Sequence, residues 1–357
     1  MQALRGTACI ITGDLYNTIN AKTAHGLVRE SQRFQILGII DTVSAGKDAG
    51  DLLDGHHRDI PIESTLDHLL NKCGKTPEYA IIGMATKGGY LPESLYPIIE
   101  EVLGRGIDVI NGLHQPLSEI QIFKDLSEKN QVHIYDIRKS KPFNELHFWQ
   151  GKTKDVPALK IAVLGTDCGL GKRTTAKLLT NALNMAGIKT GMIYTGQTGW
   201  MQGIQHGFIF DATPNDFIPG ELEHAIVSCY EDLKPEVILM EGQASLRNPG
   251  GPCGSEFIIS ATANAVILQH HPARTHFTHL ENYPAFIPDP ADEIKLIQHL
   301  GAPTWAVTLN TSGLSPEEIS KNKSRIAASL DIPVVCPLED GLVEIVELIK
   351  TKLISKI

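Results

Sequence analysis

The stretch from Gly165 to Thr175, GTDCGLGKRTT, follows the apolar run LKIAVLG. Glycines let backbone N–H groups turn inward, a helix starting at the lysine adds the positive end of its dipole, and Lys172 brings a point charge. Together these are the parts of a phosphate cradle, made of Gly165, Thr166, Asp167, Cys168, Gly169, Gly171, Lys172, Arg173 and Thr174. Set against G-x-x-x-x-G-K-[ST], the first glycine lies one residue too far upstream, and Arg173 stands where the pattern has a magnesium-binding hydroxyl. Arginine cannot bind a metal, but its fork of donors can give phosphate oxygens the charge that a cation would otherwise supply. Thr174 or Thr175 would have to reach a metal from a helical position rotated by about 100° per residue.

Other segments carry weaker chemistry. PEVILMEGQASL puts Glu241 just past an apolar strand, on the edge where α/β sheets bind ligands. NPGGPCGSEF (248 to 257) gathers backbone N–H groups ahead of a helix expected over EFIISATA, as either an anion site or an ordinary glycine-proline turn. Cys253 within it has no histidine at a spacing that would activate a thiol. The run QHHPARTHFTHL lacks metal-ligand spacing, and Pro272 breaks helical i, i+4 geometry, so a loop near the ligand is expected and no metal. In the first half TGDLYNTINAK lacks the G-x-G-x-x-G of a dinucleotide fold, although Asp41 ends the second strand, where such folds place a ribose-binding acid. Gly13, Lys22 and Thr23 are expected in an interface or a small-ligand pocket.

The elements that position these residues alternate along the chain: short runs rich in Ile and Val are followed by amphipathic helical segments, the pattern of parallel sheets covered by helices. The fold class is α/β. Strands are expected at 7–12, 34–41, 79–83, 107–111 and 132–137, a succession that resembles a Rossmann-like domain. A polar stretch, NELHFWQGKTKDVPA (144 to 158), reads as a linker. The pattern restarts with LKIAVLG and continues through IKTGMIYT, PEVILMEG, NAVILQH, PTWAVTLN and IPVVCP to a closing amphipathic helix, LEDGLVEIVELIKTKL. The division that follows is a Rossmann-like domain over 1–150 and a P-loop NTPase-like domain over 151–357, a size that suits two ordinary domains.

Composition sets the outer bounds. With 42% hydrophobic and 20% charged residues the chain has the make-up of a globular protein, and a formal charge of −9 opposes a large nucleic-acid surface. Six dispersed cysteines without a C-x-x-C pair suit a reducing compartment. The segment MQALRGTACIITGD lacks a signal peptide's apolar run, and nothing approaches the ~18 apolar residues of a membrane span, so a cytoplasmic protein without a membrane partner is expected. Cytoplasmic proteins of this size are often symmetric homo-oligomers.

The GTD opening before G-K resembles the dethiobiotin-synthetase-like branch of P-loop proteins, and MEG at 240 to 242 resembles the V-E-G segment whose acid helps to hold magnesium there. Over a greater length, KTAHGLVRES, DTVSAGKDAGDLLDG, NGLHQPL, GTDCGLGKRTT, YTGQTGWM, MEGQAS and LQHHPAR resemble, in the same order, a two-domain family long labelled as of unknown function that includes D-glutamate N-acetyltransferase. The resemblance implies an N-acetyltransferase carrying acetyl from acetyl-coenzyme A to the amine of D-glutamate or a related D-amino acid, with the P-loop on the coenzyme's phosphates. Acyl transfer of this kind needs a base and donors to an oxyanion. Asp216, Glu241, His270 and His271 are candidate bases, Gln197 and Gln243 could orient the substrate, and Arg247 and Arg274 could clamp a carboxylate. Two alternatives stay open: an ATP- and magnesium-dependent ligase or small-molecule kinase, and a non-catalytic nucleotide or coenzyme sensor.

Overall fold

The computed structural model describes residues 4–355. The chain divides into two compact units, one holding the residues up to Lys141 together with Gly196–Ile204, the other holding Pro142–Thr195 and the residues from Gln205 onward.

The first unit is a six-stranded sheet of β1 (Gly6–Gly13), β2 (Phe34–Asp41), β3 (Ile62–Glu63), β4 (Tyr79–Ile82), β5 (Asp108–Asn111) and β6 (Ile134–Asp136). Its order, β3-β2-β1-β4-β5-β6, is that of a Rossmann sheet, and every pairing is parallel. Five of the strands fall on the expected runs; β3 adds a sixth, two residues long and paired beside Ile39 and Ile40. Cys9, Ile11, Ile82, Val109 and Phe123 form part of one buried core, each larger side chain contributing ~1.5–3 kcal/mol by leaving water.

Asp41 ends β2 as expected, but its carboxylate is buried and spoken for. One oxygen accepts from Thr12 Oγ1 (2.8 Å) and the Tyr16 N–H (2.9 Å), the other from the Ser44 N–H (2.8 Å). It ties the strand end to the following turns and presents nothing to a ribose. Thr23, on helix Lys22–Arg29, is covered by the unit's own segment Gly196–Ile204: Thr23 Oγ1 meets Thr198 Oγ1 at 3.0 Å, and Gln202 Nε2 donates to the Gly26 carbonyl at 2.8 Å. The Arg33 guanidinium lies 4.3 Å from the ring centre of Trp200 and donates to that residue's carbonyl.

The second unit is a seven-stranded parallel sheet of β7 (Leu159–Gly165), β8 (Thr190–Tyr194), β9 (His206–Gly207), β10 (Val237–Glu241), β11 (Ala265–His270), β12 (Thr304–Leu309) and β13 (Val334–Val335), in the order β13-β12-β11-β7-β10-β8-β9. All seven residues of β7 are buried, as a strand covered on both faces requires. Its one charge, Lys160, is satisfied by the carbonyls of Thr153 and Val156.

The polar stretch expected as a linker is bound to this unit. Glu221 Oε1, on helix Ile218–Leu233, accepts from the His147 N–H (2.9 Å) and meets His147 Nδ1 (2.7 Å), and Glu223 accepts from the Gln150 N–H (2.7 Å). The helix expected over EFIISATA is shorter, Ser255–Ile259; Thr262 just beyond it takes a positive φ of 52°.

Candidate active site

Because the strands are parallel, their carboxyl ends lie on one edge. β7 lies between β11 and β10, with Gln269 beside Gly165 and Glu241 beside Val163, so the P-loop leaves the sheet flanked by the ends of both neighbours. Gly165 is needed by close approach: a Cβ there would stand 3.1 Å from Lys172 Cδ and 3.2 Å from the Gln269 carbonyl oxygen. Gly169 and Gly171 take φ of 64° and 96°, and helix Lys172–Met185 starts at Gly171 without a side-chain cap. The first-turn amides of that helix are therefore turned toward the loop.

Lys172 is buried, and Nζ donates to the carbonyls of Asp167 (2.7 Å) and Ala244 (2.8 Å). Burial pushes its pKa down, opposed by the neighbouring Cys168, Cys253, Asp167 and Glu241. Ala244 holds a φ of 24°, a conformation that costs a non-glycine residue energy and is kept only where surroundings enforce it.

Asp167 works as an anchor. Fully buried, it accepts from Arg274 Nη1 (3.0 Å), the Thr278 N–H (2.9 Å), Thr278 Oγ1 (2.7 Å) and Asn248 Nδ2 (3.1 Å). One carboxylate thus fastens the P-loop to the loops after β10 and β11. Arg274, considered from the sequence as a carboxylate clamp, is committed to Asp167 and to the Cys168 carbonyl. Arg247 is likewise paired, with the buried Glu293 at 2.7 Å.

The hydroxyl question has a geometric answer. Arg173 occupies the first position after the lysine, and Thr175, two further on, is turned inward: its Oγ1 donates to Gln269 Oε1 at 2.6 Å, which also accepts from Thr308 Oγ1 at 2.6 Å. Glu241 is buried at the end of β10, with Oε2 accepting from the Thr195 N–H (3.1 Å); Thr195 Oγ1 donates to the Glu241 carbonyl and accepts from Gln243 Nε2 (2.8 Å). His270 Nδ1 lies 2.9 Å from Thr166 Oγ1, and burial holds its pKa down to about 4 despite the opposing charge of Asp289. His271 is engaged at both nitrogens, with the Ser312 carbonyl and the Ala273 N–H.

Glu241, Gln243, His270, His271, Arg247 and Arg274 all stem from the loops and strand ends around the cradle. Asp216 lies exposed on the turn Asn215–Phe217, and Gln197 belongs to the first unit, where it accepts from Arg138 Nη2 at 2.8 Å. The second glycine loop spends its amides internally: Gly250 and Gly251 donate to Asn248, Cys253 to Ser245, and Gly254 to Glu256. That makes it a self-closed turn, and Cys253, its pKa pushed up to about 12 by burial, stays a thiol. Sequence reasoning passed over Thr195, Asn248, Gln269 and Thr278. Only Gln269 left a signal, a polar residue directly after four apolar ones in a buried strand. Among the described residues, Asp48, Asp51 and His57 of the first unit have ligand atoms within 4.8 Å of one another, but Asp48 is already the cap of helix Ala49–Asp54.

Fold and site together define a two-domain α/β protein of the P-loop class. The P-loop domain model of DUF1611, a domain of unknown function, matches residues 147–346, and the companion Rossmann-like model matches residues 43–140. The chain belongs to the DUF1611 family. A D-glutamate N-acetyltransferase of Pseudoalteromonas is 28% identical over 273 residues, 74% of this chain and 79% of its own. A second, from Tritonibacter scottomollicae, is 25% identical over 343 residues, 95% of this chain and 96% of its own. The crystal structure of a DUF1611 family protein from Anabaena variabilis superposes with a TM-score of 0.87 at 25% identity, covering 97% of this chain and all of that one. The resemblance drawn from the motifs holds, and at the level of the family these relatives point to an acetyltransferase. No helix among the described residues is long and apolar enough to cross a membrane.

Proposed function

We propose that this chain is a cytoplasmic N-acetyltransferase that moves acetyl from acetyl-coenzyme A to the amine of D-glutamate or a related D-amino acid. The observation that carries the reading is a phosphate cradle whose helix start offers Arg173 in place of a metal-binding hydroxyl and turns Thr175 inward onto Gln269. A cradle of this kind grips a pyrophosphate without supporting its cleavage. The names borne by two relatives supply the substrate class.

The residues fit the coenzyme's phosphates: the glycine-lined loop has room for backbone N–H donors, and Lys172 is held on two carbonyls that a phosphate would replace. Bound acetyl-coenzyme A would supply an acetyl thioester. The protein's part is to remove a proton from the substrate ammonium and to orient the amine. Glu241 is the base best suited, a buried carboxylate at the end of β10, whereas the burial that lowers His270 to about 4 makes its imidazole a weak proton acceptor. Gln243, hinged on Thr195, is suited to orient the acceptor. Arg274 and Arg247 serve first to fix the loops around it.

Thiol release measured with acetyl-coenzyme A and a panel of D- and L-amino acids tests the proposal, with the fastest release expected for D-glutamate. No release with any acceptor would remove it. Magnesium-dependent ADP formation would point to a ligase or kinase instead, and tight binding without turnover to a sensor.

A further inference from the structure

We infer that Ser245 is a ligand-binding residue of the P-loop site, its hydroxyl donating to a phosphate oxygen of a pyrophosphate-bearing ligand. This rests on the reading that the cradle grips a pyrophosphate, and goes beyond it by assigning a donor from outside the P-loop motif. Ser245 is 3% exposed, and its Oγ has no hydrogen-bond partner among the described residues. Buried hydroxyls are nearly always paired, because burial without a partner forfeits the hydrogen bond that water would make. Its polar neighbours are committed: Gln243 to Thr195, and Asn248 to Asp167 and the Gly250 N–H.

Position gives the orphan a purpose. Lys172 Nζ rests on the carbonyl of the peptide that joins Ala244 to Ser245. A phosphate that draws this ammonium off the Ala244 carbonyl lies beside the turn that carries Ser245. That turn is held at the strained φ of Ala244, and its far side is pinned where the Cys253 N–H donates to the Ser245 carbonyl at 3.1 Å. Strain fixed by surrounding bonds keeps a side chain in place for a partner that folding itself does not provide.

Calorimetric titration of the full chain with coenzyme A and, separately, with ADP, both in EDTA, tests the assignment in wild type, Ser245→Ala and Ser245→Cys. The alanine variant is expected to raise Kd for both ligands by about tenfold, as loss of a hydrogen bond to a charged group would. Cysteine, a weaker donor of similar size, should give a smaller rise, and the melting temperature of the unliganded alanine variant should be unchanged or higher. Kd within twofold of wild type in both variants would overturn the assignment. If alanine also lowers the unliganded melting temperature, the cysteine variant decides, since it keeps the volume. Wild type that binds ADP but not coenzyme A would end the acetyl-coenzyme A reading while still testing Ser245 on the ADP arm. Wild type that binds neither would overturn both.

Discussion

His270 sits against Thr166 with little access to water, and its acidity follows from that burial. Its pKa is held at about 4 against an ordinary 6.5. The unfolded chain takes up a proton below about 6.5, whereas the folded chain resists until about 4. The stability this group contributes is therefore complete above pH 6.5 and is lost as the pH falls through that window, at up to about 1.4 kcal/mol per pH unit. Burial shifts His271 and His206 in the same direction. Melting temperatures recorded at pH 7, 5.5 and 4.5 should fall steadily in wild type and less steeply in His270→Gln; equal slopes would show that His270 is not the group titrating. The same residue illustrates what a sequence can and cannot convey. QHHPAR marks a histidine at a strand end, but the contact with Thr166 that fixes its orientation spans 104 residues. Asp167 is the sharper case, since its letter suits a phosphate-loop ligand and only the fold reveals four donors converging on it from Asn248, Arg274 and Thr278.

Among the elements, the central strands were legible because β7, β10 and β11 are buried on both faces and so are built mainly of Ile, Val, Leu, Met and Ala. β3 and β9, each two residues long, carry no pattern of their own and exist through pairing with Ile39–Ile40 and Ile193–Tyr194. Helix Gln197–Gln202 was hidden for a related reason: all six of its residues are buried, so no polar face alternates with an apolar one. The segment 144–158 looked like a linker because it is polar, whereas its polar groups help to bind it to helix Ile218–Leu233. Gly220 is the contact point, where a Cβ would stand 1.9 Å from the His147 carbonyl oxygen, a backbone atom that cannot step aside alone. Two effects oppose each other in Gly220→Ala: a helix gains up to about 1 kcal/mol from alanine, and overpacking costs about 1–3 kcal/mol. With the obstacle so close, the clash should win. Denaturant unfolding should show a net loss, and limited proteolysis should cut within 144–158 sooner than in wild type; a stabilised variant with an unchanged digestion pattern would mean that the segment is not held there.

For the molecule as a whole, function turns on whether the phosphate loop works with a metal or without one. A P-loop that splits a phosphoanhydride needs a cation on the leaving oxygens, and the hydroxyl after the lysine normally holds it. Here the position is Arg173, and the inward Thr175 is already one of two donors on Gln269 Oε1. Pulling Thr175 out to a metal would leave Gln269 Oε1 with Thr308 alone, a cost of about 0.5–1.5 kcal/mol before any ion is bound. Acetyl transfer asks for no such ion, so EDTA should leave both coenzyme A affinity and the rate of thiol release unchanged. Replacing Lys172 and Arg173 together by alanine should weaken coenzyme A binding by about a hundredfold or more, since each cation makes charge-assisted contacts of about 1.5–3 kcal/mol. Calorimetry with and without chelator separates the two statements. Binding that collapses in EDTA would return the cradle to the metal-dependent class, and binding indifferent to the double substitution would mean that the phosphates are held elsewhere.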